Sequence, residues 1–235
     1  MRRRRLGSTG LEVSEIGFGA WQLGDDGAWS GMDDRTAHRL VDTAIDGGIN
    51  LFDTAPNYAS GNSERLLGEA LRGKRQQVVL VSKFGHLPDG SKVLEILFNI
   101  FHQDVRRSFP LVRKRGAGTI AKVPLDSGWL TGRFNARSRF SGARGRWSEE
   151  EIARRAQLVD RLDWLTADGS ELAHKAIGFL LSYEEVSCVI PGMRTVDQLQ
   201  SNLKAAGHAL APEDRDKLKT FWDEITQNGE RPLPW

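Results

Sequence analysis

Cysteine is nearly missing from this sequence: Cys188 is the only one in 235 residues. A single cysteine cannot close an internal disulfide, so stability must come from a buried core, and the composition suits a reducing compartment, the cytoplasm. Cys188 lies in the apolar run 186–190 and reads as a small core residue, not a nucleophile. No apolar run approaches the roughly 20 residues of a membrane span. The arginines at positions 2–5 have no hydrophobic region behind them, so no secretory signal is read; they read as a solvated strand end. Neither sign of charge prevails: 33 Lys and Arg stand against 31 Asp and Glu, a net charge of +2. That balance gives no reason to expect nucleic acid or a membrane as partner. The five histidines, at 38, 86, 102, 174 and 208, are scattered, and no His or Cys group has metal-ligand spacing. A Gly-x-Ser-x-Gly nucleophile elbow is absent. The dinucleotide fingerprint is absent too. Gly17-Phe18-Gly19 lacks its third glycine and the acidic strand end downstream, which argues against a Rossmann enzyme.

What is present reads as one α/β domain over residues 1–235. Residues 2–6 and 11–14 flank the turn Gly7-Ser8-Thr9-Gly10 and predict a hairpin. A first buried strand follows at Ile16–Gly19. Residues 33–46 place Ala37, Leu40, Val41, Ala44 and Ile45 on one helical face, and Gly47-Gly48 stops the helix. Strands are expected at 49–52 and 78–81. Between them lies a helix that Asn62 caps and that runs to Leu71. Further strands are expected at 94–98, 119–123 and 186–190. Helices are expected near 104–114 and at 149–165, 170–181, 195–205 and 212–225. The strand-helix alternation predicts a parallel sheet of six core strands. The link from the third of these strands to the fourth, residues 84–93, is too short for a parallel crossover, which takes a dozen residues or more. Either the two strands pair abnormally or a segment is missing near 86–93. Its absence should leave an open rim, with exposed edges at the 78–81 and 94–98 strands.

Candidate chemistry gathers at strand ends. Asp53 ends the second strand, Tyr58 follows in a loop, and Lys83 ends the third strand. An ammonium beside a phenol favours the phenolate and lowers the phenol pKa from about 10, which makes Tyr58 a usable proton donor. The competing reading is a structural Asp–Lys pair with a half-buried tyrosine. After the last strand, Pro191-Gly192-Met193-Arg194-Thr195 enters a helix whose N-cap is Thr195, with Gln198 completing a capping box. A helix N-terminus with Arg194 beside it also suits a phosphate group. Asn202 lies near the Gln198 face. Pro124-Leu125-Asp126-Ser127-Gly128 directly follows a strand. It is either a structural loop or a close backbone approach to a ligand.

These motifs together resemble the aldo-keto reductase family. Residues 6–14 and 17–21 resemble its opening. Residues 48–58, running Gly-Ile-Asn-Leu-Phe-Asp-Thr-Ala-Pro-Asn-Tyr, resemble its central signature. Residues 63–68 and 81–85 follow suit, and 124–132 and 190–202 resemble its cofactor segments. The resemblance implies a (β/α)8 TIM barrel plugged by an N-terminal hairpin, here incomplete. It implies NADPH-dependent reduction of an aldehyde or ketone to an alcohol, with small-molecule carbonyl substrate, Tyr58 as proton donor, and Lys83 and Asp53 tuning it. Gly19, Ala20 and Trp21 would line the nicotinamide end, Trp21 and Tyr58 facing substrate. Pro124, Leu125, Ser127 and Leu130 would hold the pyrophosphate. The segment with Pro191, Gly192, Arg194, Gln198 and Asn202 would hold the adenosine end, where an arginine favours NADP(H) over NAD. The family's catalytic histidine and its fourth and fifth barrel strands have no counterpart here, and Glu95 falls where a glutamine commonly stands. His86 is a candidate substitute for the histidine. Two further readings follow: a non-catalytic NADP-binding member of the family, and a Schiff-base lyase using Lys83.

Overall fold

The computed structural model describes residues 1–23, 32–56, 58–82 and 93–234. The missing-segment expectation at 86–93, with Lys83 and His86, falls almost wholly outside them.

The chain opens on the expected antiparallel hairpin, β1 (Arg3–Arg5) and β2 (Glu12–Ser14). Its apolar residues Leu6 and Val13 are buried against Leu51, Ile120, Cys188 and Ile190, so the hairpin closes one end of the sheet interior. Arg4 fixes it there. Its guanidinium donates to the carbonyls of Leu181, Tyr183 and Val186 at 2.7, 3.2 and 3.0 Å and stands 3.6 Å from the buried Glu15 carboxylate. The polar start of the chain is thus part of the core architecture, because a buried carboxylate and three carbonyls, from the end of α5 and the link that follows it, need donors.

Six parallel strands form the wall: β3 (Phe18–Gly19), β4 (Leu51–Asp53), β5 (Val79–Val81), β6 (Val93–Leu97), β7 (Gly118–Lys122) and β8 (Cys188–Ile190). They pair as β3-β4-β5 and β6-β7-β8. The two halves meet along β3 and β8 through the bridges Ile16–Val189 and Gly19–Gly192, with Gly17 N–H donating to Val189 at 2.8 Å. Strand order is therefore β5-β4-β3-β8-β7-β6. Among the described residues β5 and β6 do not pair with each other. The expected open edges are present, and each edge carries one exposed leucine, Leu80 and Leu94.

The described residues form seven α-helices outside the strands: α1 (Asp34–Asp46), α2 (Asn62–Ala70), α3 (Phe109–Arg115), α4 (Glu149–Asp160), α5 (Leu172–Leu181), α6 (Val196–Lys204) and α7 (Pro212–Thr226). Helix α1 is capped by Asp33, whose carboxylate accepts from Thr36 N–H at 2.9 Å. That hydrogen bond is the main reason its pKa lies below the usual carboxylate range. Two expected caps are built differently. Asn62 is the first helical residue of α2; the cap is Gly61, and the Asn62 amide oxygen accepts from Arg65. At α6, Thr195 caps Gln198 N–H as expected, at 3.1 Å, but the Gln198 side chain reaches past it to Arg194 N–H at 2.7 Å. The expected 149–165 helix breaks after Asp160 into a separate short turn at Asp163–Thr166. The 104–114 helix likewise begins as a tighter 3-10 segment, with Pro110 at the start of α3.

Candidate active site

The C-terminal ends of the parallel strands share one rim. Gly19 at the end of β3 pairs with Asp53 at the end of β4, and it bridges Gly192 just beyond β8. Three loops therefore start from adjacent points, whose residues lie far apart in sequence.

The first group surrounds Asp53, which is only 3% exposed. Beyond β3 the chain makes a 3-10 turn, Ala20–Gln22. Ser63, on the first turn of α2, donates to the Ala20 carbonyl at 2.7 Å and lies 3.2 Å from the Thr54 hydroxyl. Thr54 N–H donates to Val81 at 2.8 Å. These bonds lock the turn bearing Trp21 to the β4 and β5 ends. Tyr58 opens a tight turn in which Ala59 and Ser60 are both left-handed (φ 49° and 52°), strain of the kind that clusters at functional sites. Its ring lies 6.1 Å from the ring of Trp21, tilted by 31°. Trp21 is 38% exposed, a large aromatic left facing outward at the rim. Asp53, Tyr58, Trp21, Gly19 and Ala20 are thus brought together. Lys83 lies outside the described residues, so its expected approach to Tyr58 stays an expectation.

The second group follows β7. Asp126 and Ser127 are left-handed (φ 44° and 55°), and Gly128 follows at φ 106°. A Cβ on Gly128 would stand 2.8 Å from the Phe134 ring and 3.5 Å from Arg144, so only glycine fits. Under this turn Asp126 is fully buried and paired with Arg155 at 3.2 Å, itself 1% exposed. Arg155 also donates to the Pro234 carbonyl and lies over the Trp147 ring at 4.9 Å. His102 sits 3.6 Å from Asp126. Burial is the main cause that lowers the His102 pKa; Asp126 pulls it the other way and Arg155 adds to the depression. Of the residues expected here, Pro124 and Leu130 are buried and Leu125 and Ser127 are partly exposed. Leu130 has no exposed surface and packs in the helix-layer core, so its side chain shapes the loop from beneath and does not line an open site.

The third group starts α6. Gly192 lies against Gln22, where a Cβ would stand 2.7 Å from the side-chain amide, so the β8 end is pressed onto the Trp21 turn. Arg194 is half-buried and electrostatically close to Arg144. Asn202 is 4% exposed, and its amide nitrogen has no hydrogen-bond partner among the described residues, which is unusual for a buried amide.

Four participants were not legible as site residues. Arg144 and Arg146 contact Ser127, and Asp126 with Arg155 forms the bond beneath it. The one signal was alternation of arginine, glycine and aromatic residues over 139–147.

Comparison with known proteins bears on the family and the fold. The family model described as "Aldo/keto reductase family" matches residues 15–94 and 90–223, two stretches that meet at the short link. An aldo-keto reductase of Bacillus subtilis is 42% identical over 85 residues, 35% of this chain and 25% of that protein. The chain spans about a quarter of the length of the first such relatives in these matches. An oxidoreductase of Mycobacterium bovis is 27% identical and is covered to 88%, as is this chain. That match runs over 289 positions, whereas 88% of 235 residues is about 207, so about 80 positions of the relative face no residue here. Two absent βα units, each about 30 residues or more, would account for most of them. In fold, a glycerol dehydrogenase of Gluconobacter oxydans superposes with a TM-score of 0.80 at 18% identity, covering 96% of each chain.

Proposed function

This chain belongs to the aldo-keto reductase family, as an incomplete barrel of six core strands, and we propose that it is an NADPH-dependent reductase of small aldehydes or ketones. The observation that carries the reading is the shared rim. A buried aspartate, a phenol tilted beside an exposed tryptophan, a left-handed turn and an arginine-bearing helix start all lie where the ends of β3, β4, β7 and β8 converge.

The residues fit a phosphorylated dinucleotide. Arg194 with the start of α6 would hold the 2′-phosphate, and the guanidinium favours NADP(H) over NAD. The buried Asn202 amide, which lacks a partner among the described residues, would complete its hydrogen bonds with the adenosine end, next to Gln198. Ser127, Leu125 and Pro124 would border the pyrophosphate. Gly19, Ala20, Pro191 and Gly192 would allow close approach of the nicotinamide. When bound there, NADPH would supply the hydride for the reduction. Tyr58 would donate its phenolic proton to the carbonyl oxygen, Trp21 would confine the substrate above it, and the Lys83 ammonium, held by Asp53, would make the phenol more acidic. A soluble carbonyl compound is the expected partner.

Coenzyme oxidation should be followed at 340 nm over a panel of aldehydes and ketones, with Tyr58→Phe as control. Turnover that falls by about 100-fold or more in the variant supports the reading, the span expected for a lost general acid. The shortened sheet favours one other reading, a coenzyme-binding protein without turnover. NADPH binding with wild type and Tyr58→Phe equally inactive would select it. Absence of NADPH binding would sink both.

A further inference from the structure

The inner face of the sheet is mostly apolar. Leu51 on β4, Ile120 on β7 and Ile190 on β8 turn inward onto the hairpin, and Val93 on β6 packs against the same cluster. Their strand neighbours Phe52, Ile96, Ala121 and Val189 belong to the other core, on the helix side. Side chains alternate along a strand, so the residues two beyond Ile120 and two beyond Val93 also face inward. They are Lys122, the last residue of β7, and Glu95, in the middle of β6. The Lys122 ammonium stands 3.2 Å from the Glu95 carboxylate, with the lysine side chain 42% exposed and the glutamate 18%.

Nothing in the packing calls for a charge there. Inward positions of a parallel barrel are filled by branched apolar residues. Register places Lys122 beside Leu97 and Ile190, both apolar. A half-exposed ion pair adds little to stability. The position is that of the chemistry instead. Asp53 is the last residue of β4 and, two beyond Leu51, faces inward as well. Asp53 and Lys122 therefore open on the same mouth, three strand intervals apart by way of β3 and β8. At about 4.8 Å per interval the wall between them measures roughly 14 Å. The chord across a curved wall is shorter, and the lysine stem shortens it further. An elongated small molecule with its carbonyl at Tyr58 would bring its far end to the ammonium. An ammonium carries three donors, and among the described residues Glu95 is the carboxylate that stands against this one. Glu95 thus fixes the cation without using it up.

We infer that Lys122 is a specificity-determining residue of the proposed reaction: its ammonium takes a carboxylate at the end of the substrate remote from the carbonyl, so that the preferred substrates are aldehyde or keto acids. The inference rests on the reductase reading for the reaction and on the inward-facing Lys122–Glu95 pair for the anion contact.

Glutaric semialdehyde and its methyl ester share the aldehyde and the chain and differ in the charge at the far end. With NADPH in excess, wild type should show a KM about 10-fold lower for the acid than for the ester, the lower end of the range for hydrogen bonds to charged groups. Lys122→Met should raise the KM of the acid to that of the ester and leave kcat for both within about twofold. Lys122→Arg should recover part of the difference. Added salt should narrow the wild-type difference, since the ammonium is half-exposed. A merely structural lysine would affect acid and ester alike. Thermal melting in parallel confirms that each variant is folded; if Lys122→Met is not, the arginine variant and the salt dependence of the wild type decide. Equal KM for acid and ester, a preference for the acid that survives in Lys122→Met, or turnover of other carbonyls but of neither of this pair overturns the role of Lys122 and leaves the reductase reading standing. Turnover of no carbonyl at all overturns the reductase reading. Calorimetry with glutarate then decides the anion contact: weaker binding by Lys122→Met supports it, and equal binding or none overturns it too.

Discussion

Arg155→Met tests the buried bond beneath the Ser127 turn. In the native chain Arg155 and Asp126 are 1% and 0% exposed and 3.2 Å apart. Methionine fills much of the arginine stem's volume, so the change removes charge more than packing. Three things follow. The Asp126 carboxylate is left in the interior without its counter-charge. The Pro234 carbonyl loses its donor. Trp147 loses one of the two guanidiniums over its ring and keeps Arg146 at 4.3 Å. Breaking one side of a buried ion pair costs about 3–5 kcal/mol. For a chain of this size each 1 kcal/mol moves Tm by about 2–4 °C, so a fall of about 6–20 °C is expected. His102 moderates the figure, since with Arg155 gone it can take a proton and partly compensate Asp126. The double variant Asp126→Asn/Arg155→Met should be less damaged than the sum of the singles, because the second change removes the orphaned charge and asparagine tolerates the left-handed backbone. The assay is thermal and urea unfolding followed by circular dichroism at pH 7. A Tm within about 2 °C of wild type for Arg155→Met, or strictly additive single changes, would refute the claim that this pair carries the loop.

Two more predictions concern protons and edges. His102 has a lowered pKa in the fold, so the unfolded chain binds the proton more readily; stability should fall as pH drops below about 6.5 and level off below the folded value. His102→Gln should flatten that slope between pH 7 and 5, and an unchanged slope in urea titrations would count against it. Leu80 and Leu94, on the two strand edges that have no partner among the described residues, present apolar surface of the kind that drives edge-to-edge association. Leu80→Lys/Leu94→Lys should reduce concentration-dependent light scattering, and equal scattering by both proteins would contradict the assignment of those edges.

Local pattern determined a good deal by itself. The hairpin, the six strands and most helix positions follow from alternation, apolar faces and stop signals, because those preferences act within a few residues. The shortfall of strands was legible as well, since a link of ten residues cannot carry a parallel crossover. The residues proposed for the site, Asp53, Tyr58 and Arg194, stand out in the sequence because each ends or follows a strand, and strand ends of a parallel sheet share a rim. What needed the tertiary structure was everything set by partners far along the chain. Arg4 looked like a solvated charge until Glu15 and the end of α5 proved to be its neighbours. Gln198 fitted a capping box, yet it bonds Arg194, since a long side chain takes whichever donor the turn before it presents. Leu130 seemed a ligand contact and is core. Asp126 with Arg155, and Arg144 and Arg146 on Ser127, join positions 17 to 29 residues apart, through contacts that no periodicity encodes. Electrostatic meeting points depend on where packing sends each loop, and in this chain packing, not sequence order, brings three guanidiniums to one turn.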